Sequence, residues 1–230
     1  MSWNTIFGVA ATFAMFLPVA AIIYYKLHNH RSLMALLVSY LIAILYNRTT
    51  EGLIPVSDSL SEQFGVLVNY LQIPLMLTAL LFFCPIKQKQ RTIHIITALF
   101  IAYEIVICAM FGFSTQAIIY VIGPGVLLVL IYAFYLFVKH IKMTIEFGKN
   151  AGRTLMLVSI LFSYGCYGLV YYFCYIQKTP DASDALLLYS IFTLASAILM
   201  AIGLKSTRKR IRELEEVKNT RREMAMIFGH

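Results

Sequence analysis

The sequence predicts an all-α integral membrane protein: a seven-transmembrane helix bundle with its N-terminus outside, its C-terminus cytoplasmic, and a cytoplasmic helix at the C-terminal end. Three observations carry this expectation. Of the 230 residues 60% are hydrophobic and only 13% charged, against about 25% charged in soluble domains, and the mean hydropathy is +0.77. Apolar runs long enough to cross about 30 Å of hydrocarbon as helices fall near 5–26, 32–50, 63–84, 92–113, 116–138, 153–176 and 184–204. The charges between those runs alternate.

Taken in order, the first run has no basic region before its apolar core and no small-residue cleavage pattern before Tyr24-Tyr25-Lys26, so it is read as a retained span rather than a signal peptide. The connections at 26–31, 85–91 and 139–153 are basic, with Lys26, Arg31, Lys87, Lys89, Arg91, Lys139, Lys142, Lys149 and Arg153. The intervening connections hold Glu51, Asp58 and Glu62, then no charge, then Lys178 with Asp181 and Asp184. Lys and Arg are retained on the cytoplasmic side, so the alternation fixes the orientation. It also explains the net charge of +8 without a nucleic-acid surface. Trp3, Tyr24, Tyr25, Tyr46, Phe83, Tyr120, Tyr135 and Tyr175 lie near span ends, where aromatic anchors belong. The expected setting is a multi-pass protein in the plasma membrane, its first partner the lipid bilayer.

Polar residues inside the spans are the candidate site. Glu104 is the one acidic residue well inside a run, and a carboxyl there is neutral, paired or turned to the interior. The third run holds Asn69 and Gln72 one turn apart, with Pro74 after them, and the fifth holds Gly123-Pro124-Gly125, a kink that makes space for a ligand. In the sixth, Gly165 and Gly168 permit close helix approach, while Tyr164, Tyr167 and Tyr171 share a side. These tyrosines either line a cavity or pack as core with their hydroxyls satisfied across helices. The ligand set expected for a small molecule is Glu104, Asn69, Gln72, Tyr164, Tyr167 and Tyr171. Arg48 and Glu51 at the outer end of the second run are read either as a rim pair facing a pocket or as a solvated loop pair, the latter preferred. Cys84, Cys108, Cys166 and Cys174 have no metal-ligand spacing and read as small buried residues. His28, His30, His94 and His140 read as interface residues, and no metal or cofactor is expected.

The division falls at Leu204: 1–204 is the transmembrane domain and 205–230 a cytoplasmic signalling helix. That last stretch opens with Lys205, Arg208, Lys209, Arg210 and Arg212, then runs without Gly or Pro to Phe228. Leu214, Val217, Met224 and Phe228 share one narrow apolar face, interrupted by Arg221, which a solvated helix buries only against another helix. A homodimeric coiled coil is expected, with Arg208, Ile211, Leu214, Val217, Met224 and Phe228 on the route of signal transmission.

Two resemblances bear on this plan. Seven helices in about 200 residues, outside to inside, with Pro74 in the third and a tyrosine-rich sixth, loosely resemble the microbial rhodopsins. That family attaches retinal to a lysine in its seventh helix, where this chain reads SAILMAIG from Ser196 to Gly203, so a retinal Schiff base is excluded. The segment Glu223-Met224-Ala225-Met226-Ile227-Phe228-Gly229-His230 resembles the start of the H-box of bacterial sensor histidine kinases, and ELEEVKNTRRE before it is similar to their linker. The resemblance implies a membrane input domain reaching to its phosphorylation site, with His230 as phospho-acceptor and no ATP-binding domain. A stand-alone transporter or channel, or a scaffold recruiting a partner through its tail, is the alternative. Paired acids, metal-spaced histidines and a Ser/His/Asp set are missing from the bundle sequence, so a membrane enzyme is the weakest reading.

Overall fold

The computed structural model describes residues 3–84, 87–148, 150–179 and 183–228, with the side chains of Asp58, 87–89 and 222–228 left aside. His230 lies outside the described residues. Seven helices long and apolar enough to cross a membrane are present among them. We number them α1 (Trp3–Tyr24), α2 (Arg31–Thr50), α3 (Asp58–Leu80), α4 (Lys87–Phe111), α5 (Thr115–Phe147), α6 (Ala151–Tyr171) and α7 (Ser183–Phe228).

Their ends follow from local chemistry. α1 is interrupted at Met15 between Trp3–Ala14 and Phe16–Tyr24, because Pro18 has no N–H for the Ala14 carbonyl four residues back. The Ser57 and Ser114 hydroxyls cap α3 and α5, accepting from the amides of Leu60 and Ala117 at 3.4 and 3.3 Å. α5 stops at Gly148, whose φ of +62° suits a residue without Cβ. α6 loosens into a π-helical turn at Tyr172–Ile176. α7 has no such break over its 46 residues, so at 1.5 Å per residue it is about 70 Å long, more than twice the hydrocarbon thickness.

Neighbouring helices pair in the order α1–α2–α3–α5–α6–α7, with α7 returning to α1; α4 lies outside against α3 and α5. The surface is the reverse of a soluble protein's. Leu99, Ile105, Met110, Leu127, Ile131 and Phe134 face outward, while Ser39, Thr97, Glu104, Ser159, Thr193 and Ser196 are buried. Such a surface is stable only where its surroundings are as apolar as the core, so the exterior matches a bilayer.

The connections gather by charge at two ends. At one end Glu51 accepts from the Thr12 hydroxyl at 2.9 Å and pairs with Arg48 at 3.1 Å, Arg48 lies 4.5 Å over Phe13, and Thr115 donates to Glu62 at 2.7 Å. Arg48 and Glu51 are therefore not the solvated pair expected from sequence: α1 packs beside them and uses the carboxylate. At the other end His30 and Arg153 both lie on Phe82, at 5.7 and 5.2 Å. His140 is buried there, its Nε2 donating to the Phe83 carbonyl at 2.9 Å. Neither His140 nor Phe83 is an interface residue, because together they close the turn after α3. Trp3, Tyr24, Tyr120 and Tyr135 do face outward near span ends.

The glycines expected to bring helices together are not those that do. A Cβ on Gly165 would meet nothing within 4 Å, and one on Gly168 would make only ordinary contact with Val126 at 3.4 Å. The close approach lies one end away, at Gly152 of α6 and Gly203 of α7. The space at Gly123 and Gly125 is also occupied, by Tyr171 and by Ile73 with Phe100, and α5 continues through Pro124.

Candidate functional site

Five helices converge on a small cavity of about 40 Å³ with several polar side chains in its wall. Met15 of α1, Tyr40 of α2, Gln72 of α3, Ser159 and Tyr164 of α6 and Tyr189 and Ser196 of α7 are among its walls. Helical spacing puts them there. Ser159, Ser163 and Tyr164 are four and five residues apart on α6, and Tyr189 and Ser196 two turns apart on α7, so each set shares a face.

The wall is partly satisfied from within. Ser159 donates to the Ser196 carbonyl at 2.7 Å and its oxygen lies 3.1 Å from the Ser196 hydroxyl. The Tyr40 hydroxyl is turned to both serines. Tyr164 is 2% exposed and lies beside Gln72, yet its hydroxyl closes no hydrogen bond of ordinary geometry. A buried hydroxyl left so costs about 1–3 kcal/mol, which a small polar guest recovers. At about 10–15 Å³ each, the cavity has room for roughly three waters or the polar end of a slightly larger molecule.

The residues expected to bind a ligand together are thus divided. Gln72 and Tyr164 reach the cavity. Asn69 and Tyr167 instead bond to each other, the tyrosine donating to Asn69 Oδ1 at 2.6 Å. Tyr171 donates to the Ile119 carbonyl at 2.7 Å and fills the space over Gly123. Of the three tyrosines one lines the cavity and two are satisfied across helices. Glu104, 6% exposed, belongs to another place: it lies near Tyr70 between α3 and α4 with no hydrogen-bond partner at Oε1, while the Tyr70 hydroxyl is turned to Cys108 without closing a bond of ordinary geometry. Pro74 adds polarity here, since it leaves the Tyr70 carbonyl without its usual amide.

Ser39, Tyr40, Ser159, Tyr189 and Ser196 escaped the sequence reading. Small hydroxyls in apolar helices are frequent interhelical glue, and only their recurrence on one face of α6 and of α7 marked them. Outside the ring, α4 and α5 leave an apolar groove of about 520 Å³ beside Pro124, bounded by Leu99, Phe100, Tyr103 and Leu128. It opens on the outer surface of the bundle. Cys84 and Cys166 are buried, and the four cysteines form no disulfide. No group of metal-ligating side chains occurs among the described residues.

On the long helix, Ile211 packs against the bundle core, whereas Leu214 and Val217 are 55% and 51% exposed. Met224 and Phe228 continue the helical backbone, but their side chains are outside those described. No known protein family, curated protein or solved structure matches the chain.

Proposed function

We propose that this chain is the membrane input portion of a signalling protein of the sensor-kinase type. It lies multi-pass in the plasma membrane, N-terminus outside and the end of α7 in the cytoplasm. A small apolar or amphipathic molecule reaches the bundle from the outer side or from the bilayer. Its polar end bonds to Tyr164, Gln72 and the serines of the cavity. Because the closed cavity admits only a few atoms, binding displaces α7, and that displacement is the signal.

The observation that carries this reading is the continuity of α7. Tyr189 and Ser196 line the cavity, and the same unbroken helix carries Arg208, Ile211, Leu214 and Val217 toward the H-box-like end. A rotation imposed at Ser196 is therefore delivered tens of ångströms away without a hinge to absorb it. The exposed face of Leu214 and Val217 supports pairing with a second copy, and His230 would accept phosphate on such a dimer.

The test is oxidative cross-linking of single cysteines in membranes holding the full chain. Val217→Cys is expected to form a dimer and Glu216→Cys, on another face, is not. Tyr164→Phe and Ser196→Ala are expected to change the Val217→Cys yield. No dimer at Val217, together with ion flux in proteoliposomes, would overturn the reading in favour of a transporter or channel.

A further inference from the structure

We propose that the cleft at the basic end of α6 and α7 is a binding site for the phosphate of an anionic phospholipid headgroup. This is independent of the signalling reading. The cleft encloses about 500 Å³ between Met143 of α5, Asn150 and the first turn of α6, and the stretch of α7 from Ser206 to Leu214. It lies where the apolar run of α7 ends at Leu204 and Lys205 begins the charged stretch. Headgroup phosphates lie at that depth.

Its lining has the two chemistries that a lipid presents. Arg153, Lys209 and Arg210 face it against the single carboxylate of Glu213, which Arg210 holds at 3.0 Å. Arg153 and Lys209 pair with no carboxylate among the described residues. Arg153 is half-buried with its guanidinium carbon 5.2 Å from the centre of the Phe82 ring, which holds this cation at the start of α6 beside the cleft. Ser206 adds a hydroxyl.

Met143 and Ile211 add apolar side chains beside the cations. Basic pockets between helices at the cytoplasmic interface are where anionic headgroups are held. A lipid seated here would bridge the first turn of α6 to α7 immediately beyond the contact of Gly152 with Thr207. It would thereby brace the point from which the long helix projects.

The test is native mass spectrometry of the full chain released from micelles containing phosphatidylglycerol or phosphatidylcholine of matched acyl chains, with inorganic phosphate as a third arm. Phosphatidylglycerol is expected to remain bound, one per chain, and phosphatidylcholine is not. With each cation contributing about fivefold, Lys209→Gln is expected to weaken retention about fivefold and Arg153→Gln by at least as much. Arg221→Gln, an exposed cation beyond the cleft, is expected to leave it unchanged. Where Arg153→Gln folds poorly, Lys209→Gln on the exposed rim carries the comparison. Equal retention of the two lipids, an equal loss in Arg221→Gln, or displacement of phosphatidylglycerol by millimolar phosphate would each overturn the proposal, the last in favour of a free-phosphate site.

Discussion

Gly152 and Gly203 face each other across α6 and α7 so closely that a Cβ on Gly152 would stand 2.7 Å from the Gly203 carbonyl oxygen, and one on Gly203 would stand 2.8 Å from that of Gly152. The Thr207 and Met156 side chains stand as close, but because backbone atoms are among the obstacles a rotamer change alone does not make room. Gly152→Ala and Gly203→Ala are each expected to force the helices apart, at about 1–3 kcal/mol. Gly165→Ala, with open space around it, is expected to leave stability unchanged. Thermal unfolding of the three variants in one detergent checks this, and equal melting temperatures would refute the contact.

Tyr164 and Tyr167 are neighbouring buried tyrosines with opposite hydroxyl chemistry. Tyr167→Phe breaks the 2.6 Å bond to Asn69 and is expected to lower stability by about 0.5–1.5 kcal/mol. Tyr164→Phe removes a hydroxyl that lies beside Gln72 but closes no hydrogen bond of ordinary geometry, and is expected to cost nothing, or to stabilise slightly. Denaturation of the two variants side by side distinguishes them. A larger loss at Tyr164 would mean that a bound guest already satisfies that hydroxyl.

His140 holds the turn between α3 and α4 through the Phe83 carbonyl. Because Nε2 meets a carbonyl, the proton of the neutral ring sits on Nε2. His140→Ala strands a buried carbonyl and is expected to cost about 1–3 kcal/mol. His140→Gln, whose amide can donate, is expected to recover part of this. The measurement is the same unfolding transition.

The orientation is tested by cysteine accessibility in intact cells. Ser57→Cys, in the acidic connection before α3, is expected to react with a membrane-impermeant maleimide from outside. Lys142→Cys, near the basic end of α5, is expected to react only after permeabilisation. The reverse pattern would invert the bundle.

Much of this protein was legible along the chain. Spans and their ends depend on properties that add up locally: an apolar run of sufficient length must cross the bilayer, and a cluster of lysines and arginines resists crossing it. Hence the seven spans, the acidic and basic ends and the long seventh helix agree with the sequence reading. Rotation of each helix about its own axis does not add up locally. In a membrane both sides of a span are apolar, so Leu99 on the outer surface and Leu77 in the core carry no distinguishing pattern. For the same reason Gly165 and Gly168 were expected at a contact that Gly152 and Gly203 make. The tyrosines of α6 were grouped with a Glu104 that lies near Tyr70 instead.

What the sequence determined by itself is therefore the number and polarity of the spans, because transfer into a bilayer is set by each segment's own composition; α5, expected over 116–138, instead runs on to Phe147. Only the tertiary structure decided that α4 lies outside the ring, that Tyr164 rather than Tyr167 or Tyr171 meets the cavity, and that Ser159 and Ser196 complete it. Those outcomes rest on which side chains interlock across helices, and close packing depends on the neighbour's shape as much as on the residue itself.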